Sequence, residues 1–220
     1  MTETSKVGPI SVRRLRRAEL PKDTTKLARF LIGKVVVRDL PSCRVAGRIV
    51  ETEAYPRRDP AAHHFRGPTP GNRSMFLRRG HAYVYFSYGH HFMLNVSAEV
   101  PGVGGGVLIR ALEPLEGIKR MEERRGTTRR VDLLRGPGRL ASAFDIDRSL
   151  DGVDLCAAGP LWLAALSEPR PAPGDLTNAP HTMFRVAKST RIGITRAAHR
   201  LLRFYERGSP FVSGPARLRS

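Results

Sequence analysis

Residues 81–98 read HAYVYFSYGHHFMLNVSA. Two runs rich in aromatic and β-branched residues, His81–Tyr88 and His91–Ala98, flank Gly89-His90. That pattern predicts a β-hairpin with Tyr88 at or beside its tip. Working outward, GVLIRAL at 106–112 predicts a further strand, and Lys34–Asp39 and Arg44–Tyr55 predict two more upstream. The run RVAGRIVETEAY at 44–55 takes its apolar character from Val45, Ile49 and Val50 but alternates imperfectly, and Pro56 ends it. A helix is expected to start at Asp23 or Thr24 as N-cap, with Leu27, Phe30 and Leu31 on one face and Gly33 suited to the C-cap. Further helix is expected from Pro114 to about Arg125 and near Arg139–Phe144. Residues 151–180 read as irregular, and LLRFYERGSPFVSG at 201–214 predicts a last strand and turn. The expectation is one α+β domain over residues 19–214, preceded by a flexible basic segment at 1–18.

The 220 residues, 40% of them hydrophobic, are enough for a real core, which argues against disorder. No apolar stretch is long enough for a transmembrane helix, and the N-terminus lacks the apolar core of a secretory signal. Cys43 and Cys156 cannot make a disulfide framework or a CxxC metal pair, so a reducing intracellular compartment is the expectation. The charge is more informative: the chain carries a formal +18, and 32 of its 38 basic residues are Arg. Segments 57–80, 119–140 and 185–207 hold most of the excess, whereas 141–180 is acidic. Grouped arginine suits a polyanion, most simply nucleic acid, although a solvated basic surface has the same composition. No basic amphipathic helix with a broad apolar face argues for a membrane surface.

Several residues are candidates for chemistry. Glu51 and Glu53 are two apart on a strand and so share a face. Burial of one would raise its pKa and suit it to general-base work, while a solvent-facing strand edge paired with Arg fits the same spacing. Arg110, inside VLIRAL, needs a partner if buried, and a carboxylate on a neighbouring strand such as Glu53 would supply one. Tyr83 and Tyr85 alternate onto one strand face; with Tyr55 and Tyr88 they suit either cross-strand packing or a stacking platform for bases, and a tyrosine at a hairpin tip suits a wedge. His63-His64 and His90-His91 have no third ligand at recognisable spacing, so no metal is expected. GVGGG at 102–106 lacks the residues of a phosphate-binding loop and reads as a flexible connection.

The pieces GRIVETEAY at 47–55, AAH at 61–63, NRSMF at 72–76 and YVYFSYG at 83–89 occur in order with Asn95. They continue as LIRALEPLEG at 108–117, RGPGRL at 135–140 and RFYERGSPFVS at 203–213. This set resembles the alkyladenine (3-methyladenine) DNA glycosylase family of the mammalian type, over about residues 25–213. The resemblance implies a single compact α+β domain around a curved antiparallel sheet with flanking helices and a projecting hairpin. It implies a monofunctional base-excision repair enzyme that flips damaged purines from duplex DNA and hydrolyses the N-glycosidic bond without a cofactor. By motif, Glu53 is expected to activate water and Arg110 to hold that water and Glu53 in place. Tyr55 would lie on one face of the base, and His63 and Tyr85 on the other. Asn95 would stand where the 2-amino group of guanine clashes, Tyr88 would fill the gap in the duplex, and Ile192 and Gly193 would belong to a loop that closes on the nucleotide.

The chain departs from the mammalian form in a loop one residue shorter between Tyr55 and His63, in His90-His91 after Gly89, and in Phe86-Ser87. The expected partner is double-stranded DNA carrying damaged purines, bound by a monomer in a bacterial cytoplasm, or in a nucleus if the source is eukaryotic. A non-catalytic damage-sensing protein is the alternative, against which the Glu53–Arg110 pair counts. An RNA-binding module would need an RNP1-type motif, and none is found.

Overall fold

The strand predicted at Arg44–Tyr55 is present with those bounds, is buried from Val45 to Ala54, and organises the rest of the chain. The computed structural model describes residues 10–87, 89, 91–167 and 185–215. In chain order its elements are β1 (Val12–Arg14), α1 (Thr24–Leu31), β2 (Val35–Asp39), β3 (Arg44–Tyr55), β4 (Ala82–Ser87) and β5 (His91–Ser97). Then follow β6 (Gly106–Glu116), α2 (Ile118–Arg125), α3 (Arg130–Leu133), α4 (Pro137–Ala143), β7 (Leu161–Leu166), β8 (Val186–Ser189) and β9 (Arg203–Glu206). The strands form one sheet in the order β1-β7-β2-β3-β6-β5-β4, with β9 also on β3 and β8 beyond it, and the pairs are antiparallel. This is the expected single α+β domain. Among the described residues no helix is long and apolar enough to cross a membrane.

Two features of β3 place the site. Its length outruns β2, which covers Arg44–Arg48, so β9 takes over the same edge at Glu51–Glu53 while β6 runs along the other. The β3–β6 register also slips three times, once between Ala46 and Gly47 and twice around Glu51, where Val50 on β3 and Arg110 on β6 are left without opposite residues. Bulges re-aim side chains. Before the slips around Glu51, Val45 and Ile49 enter the main core, and after them Ala54 does. Thr52 also turns to that side, where its hydroxyl donates to the Ala28 carbonyl of α1 at 2.9 Å. The imperfect alternation of RVAGRIVETEAY is therefore a real change of parity, and it leaves Glu51 and Glu53 on the face away from α1.

The main core lies between the sheet and the helices and joins Leu27 and Leu31 of α1 to Ile49, Leu94, Ile109, Leu112, Leu140 and Phe144. Burying each such side chain is worth roughly 1.5–3 kcal/mol. The hairpin follows the alternation read from its sequence. Val84 and Leu94 enter the core, while Tyr83, Tyr85, Met93 and Asn95 line a pocket on the opposite face. Asp23 is the N-cap of α1, accepting from the Lys26 N–H at 2.7 Å.

Three local expectations are corrected. The helix expected from Pro114 begins at Ile118, because β6 continues to Glu116. Since β5 pairs β6 only over Gly106–Leu108, Pro114 lies where that edge carries no strand, a place that tolerates a missing N–H. Gly117 then makes the turn with φ +75°, where a Cβ would sit 2.4 Å from the Arg44 carbonyl oxygen. Within 151–180, expected to be irregular, Leu161–Leu166 forms β7 between β1 and β2, and residues 168–180 lie outside the described residues. A short strand paired on both edges and mostly buried reads as an apolar run without alternation. Within the segment 1–18, expected to be flexible, Val12–Arg14 pairs with β7 as an edge strand, and residues 1–9 lie outside the described residues.

Candidate active site

The double slip in register around Glu51 brings Arg110 onto two carboxylates at once. Its Nε donates to Glu51 Oε1 at 3.0 Å, and its Nη1 lies 3.2 Å from Glu53 Oε1. Glu51 is fully buried and also accepts from Arg203 Nε at 2.6 Å, the Ser213 N–H at 2.6 Å and the Ser213 hydroxyl at 3.0 Å. Burial by itself would push the Glu51 carboxyl up, but Arg110 and Arg203 outweigh it and hold the group below its ordinary value. The idea that burial raises a carboxyl pKa here thus fails for Glu51, because the strands that bury it also deliver two guanidiniums. Burial works against the charge of Arg110 as well, and Glu53 and Glu51 more than offset it.

Glu53 is equally buried. Its Oε1 accepts from the Ile192 N–H at 2.8 Å, and its Oε2 from the Tyr55 hydroxyl at 2.9 Å. Burial, reinforced by the neighbouring Glu53 charge, pushes the Tyr55 phenol well above its ordinary value, so it stays protonated and donates. The three groups that hold Glu53, namely Tyr55, Arg110 and Ile192, all line the pocket. Tyr55 and Ile192 donate hydrogen bonds and Arg110 adds an ion pair, so of the roughly four lone-pair positions of the carboxylate not all are used.

The pocket, of about 240 Å³, is lined by all of the expected base-contacting residues: Tyr55, His63, Tyr85 and Asn95, together with Arg110, Ile192 and Gly193. His63 is exposed to it, its ring centroid 4.4 Å from that of Tyr85 and its Nδ1 3.0 Å from the Tyr83 hydroxyl. Partial enclosure, and then the adjacent His64, lower the His63 pKa, which favours the neutral ring. Tyr83 is buried behind it, stacked on Tyr85 with centroids 5.3 Å apart. Asn95 is buried opposite Tyr83 in the hairpin register, and its amide donates to the Tyr83 carbonyl at 3.3 Å. Tyr88 lies outside the described residues. Two positions earlier in the chain, Phe86 is exposed and packs on Phe92 with centroids 5.1 Å apart. His63 and His64 face separate partners, Tyr83 and the Pro56 carbonyl. Among the described residues no group of three or more His, Cys, Asp or Glu is arranged to hold a metal.

Each of the three basic segments supplies part of the wall: Ala61 and His63 from the first, Pro137 from the second, Ile192–Ile194 from the third. Residues 141–167 of the acidic segment supply none. Arg57, Arg58 and Arg66 on one bordering loop and Arg196 and Arg200 on another are exposed. Exposed arginines thus stand on two of the loops that contribute to the pocket wall.

Sequence reasoning missed Arg203, Ser213, Arg191 and Asp59. Arg203 and Ser213 stand in the stretch RFYERGSPFVS, but nothing in it shows that they converge on Glu51 from 152 and 162 positions away. Arg191 and Asp59 form an ion pair in which both side chains have no exposed area, and the adjacency of Arg191 to Ile192 is its only sequence signal.

Comparison with known proteins gives the family. The family model for methylpurine-DNA glycosylase (MPG) matches residues 18–210. A protein of Mesorhizobium japonicum named "Putative 3-methyladenine DNA glycosylase" is 63% identical over 202 residues, covering 92% of this chain and 91% of its own length. Proteins with the same name from Paraburkholderia phytofirmans and Methanoculleus marisnigri are 50% and 43% identical, over 93% and 87% of this chain and 90% and 94% of their own lengths. With a family model matched over most of its length and relatives of this identity, the chain is a member of the methylpurine-DNA glycosylase family.

Proposed function

We propose that this chain, a DNA glycosylase that hydrolyses N-glycosyl bonds, takes a damaged purine such as 3-methyladenine from duplex DNA into the Tyr55–His63–Tyr85 pocket and that Glu53 activates the attacking water. DNA as the partner follows from the family. The observation that carries the reading is the buried Glu53 held by Arg110, Tyr55 and Ile192, three residues that all face the pocket.

Chemistry on a base within a duplex requires its extrusion, which costs a few kcal/mol and least for damaged pairs. A wedge at Tyr88 would offset part of that cost by stacking, worth roughly 1–3 kcal/mol. Alkylation at N3 or N7 leaves the purine cationic, and an aromatic pocket attracts a cation by roughly 0.5–2 kcal/mol. A neutral His63 adds no opposing charge. As the glycosidic bond breaks, its electron pair leaves with the base and the sugar gains oxocarbenium character. The water oxygen bonds to C1′, and one of its protons passes to a free position on the Glu53 carboxylate while the other stays in the new hydroxyl. The products are the free base and an abasic site, with no covalent enzyme intermediate. Asn95 would discriminate against guanine at the buried end of the pocket. The enzyme would act as a monomer in the cytoplasm.

The test is cleavage of end-labelled duplexes carrying one hypoxanthine or one 7-methylguanine, with and without alkali, beside a 3-methyladenine release assay on alkylated DNA. Strand breaks that appear only after alkali are expected. Breaks without alkali, or a borohydride-trapped covalent complex, would contradict the hydrolytic mechanism. Tight duplex binding without release of any base would shift the reading to a damage-sensing binder.

A further inference from the structure

We propose that Arg191 is a positioning residue that clamps three separate parts of the pocket to one another and so sets the geometry around Glu53. The inference rests on the proposed role of Glu53 as the base. Arg191 and Asp59 form a buried ion pair in which Nη2 donates to Oδ1 at 3.1 Å and Nη1 lies 2.9 Å from Oδ2, and neither side chain is exposed. The same guanidinium donates to the Ala54 carbonyl at 3.0 Å and lies over the Tyr55 ring, 4.6 Å from its centroid. Asp59 Oδ1 in turn accepts from the Ala61 N–H at 2.9 Å, which fixes the turn leading to His63. Arg191 directly precedes Ile192, whose N–H caps Glu53 at 2.8 Å.

One side chain therefore joins the end of β3, the loop that carries Ala61 and His63, and the loop that carries Ile192 and Gly193. Each of these contributes to the pocket wall. A buried ion pair is a poor way to gain stability, since apolar residues of the same volume often serve as well or better. What it does supply is fixed direction. The planar guanidinium donates to Asp59 through Nη2 and to the Ala54 carbonyl through Nη1 while backing the Tyr55 ring. A lysine ammonium at the same place has neither the fork nor the flat face. Misplacing a reacting group by about 1 Å can cost on the order of 100-fold in rate, so a clamp next to the general base bears on rate more than on binding.

The experiment uses the whole chain and the variants Arg191→Lys and Asp59→Asn, alone and combined. Single-turnover excision of hypoxanthine is measured beside two other quantities. One is the affinity for a duplex carrying a tetrahydrofuran abasic analogue, which reports groove binding. The other is the fluorescence change of a 1,N6-ethenoadenine duplex, which reports entry of a base into the pocket. Each single variant is expected to lose excision by about 100-fold. The ethenoadenine signal should weaken, the tetrahydrofuran affinity should change less than about threefold, and the double variant should be no worse than either single one, because both changes break one unit. Excision within threefold of wild type in a folded variant would overturn the proposal. So would losses that multiply in the double variant, or abasic affinity and thermal midpoint falling in step with excision, which would mark a purely structural role. Glu53→Gln is run in parallel. If it keeps wild-type excision, the proposed function itself fails; if it is inactive while the Arg191 and Asp59 variants are not, only the clamp fails.

Discussion

Strand β3 carries two buried ion clusters, one on each side of its bulge, and they do different things. Before the bulge, Arg48 donates to Glu113 at 2.7 Å and to Glu206 at 2.6 Å, with all three side chains nearly inaccessible. None of these residues lines the pocket. After the bulge, Glu51 and Glu53 meet Arg110 and Arg203, and Arg110 forms part of the pocket wall. The residue types are the same, and so is the sheet. The difference is the slip in register that leaves Val50 and Arg110 without opposite residues and turns the second cluster toward an open cavity. Buried charge on its own therefore says little about chemistry, whereas buried charge whose partners face a cavity says a good deal.

The comparison can be broken first at the closed cluster. Arg48→Met leaves Glu113 and Glu206 buried without their guanidinium, and removing one partner of a buried pair typically costs about 3–5 kcal/mol. Urea unfolding should show that loss, while the single-turnover rate per folded molecule stays at the wild-type level; a rate that falls in proportion would merge the two clusters into one.

At the open cluster the expectation is reversed. Glu51→Gln keeps the shape but weakens the anchor on Arg110, and excision should fall by about 10- to 100-fold through misplacement of Arg110 and Glu53. Affinity for a lesion duplex should change little, and a matching loss of affinity would place Glu51 in binding instead. Smaller again is the specificity effect. Asn95→Ser opens the end of the pocket beside Tyr83 and should raise release of normal guanine by about tenfold, within the range that a change of pocket size commands. An unchanged profile of released bases would remove Asn95 from the discrimination.

The smallest effect is one of pH. His64 is buried, and burial lowers its pKa below the ordinary value despite a contact with the Pro56 carbonyl and the nearby Asp59 and Glu99. The unfolded chain therefore binds this proton more readily than the folded one. Stability is fully present above the unfolded-state pKa of about 6.5 and falls as pH drops through and below it. The urea midpoint should decline modestly between pH 7.5 and 5.5, and His64→Gln should flatten that decline. An equal slope in the variant would assign it to other groups.

Much of this comparison was legible in the sequence where local pattern and elementary chemistry coincide. The hairpin alternation put Tyr83 and Tyr85 on one face, and the structure places both at the pocket. An arginine inside VLIRAL demanded a carboxylate, and Glu53 on the adjacent strand is one of the two that meet it. The matching pieces of the chain pointed to the residues around the pocket, although their roles rest on the proposal above. What stayed hidden depends on contacts between distant positions. The bulges cannot be read from composition, so the second carboxylate partner and the change of parity were not foreseen. The Arg191–Asp59 pair spans 132 positions, and an isolated Asp in an Arg-rich loop gives no sign of its partner. Strand β7 has the apolar run of a strand but lies in a Pro- and Ala-rich stretch, and its place in the sheet comes from β1 and β2.

The most direct test of the account compares wild type and Glu53→Gln in single-turnover excision of hypoxanthine, alongside binding of the same duplex. The substitution keeps the size of the side chain but removes its capacity to take a proton. A general base contributes typically about 10²- to 10⁴-fold, so excision should fall by that factor while duplex affinity stays within a few-fold of wild type. Excision retained within tenfold, with the variant folded and bound, would contradict the assignment of Glu53 as the residue that activates water.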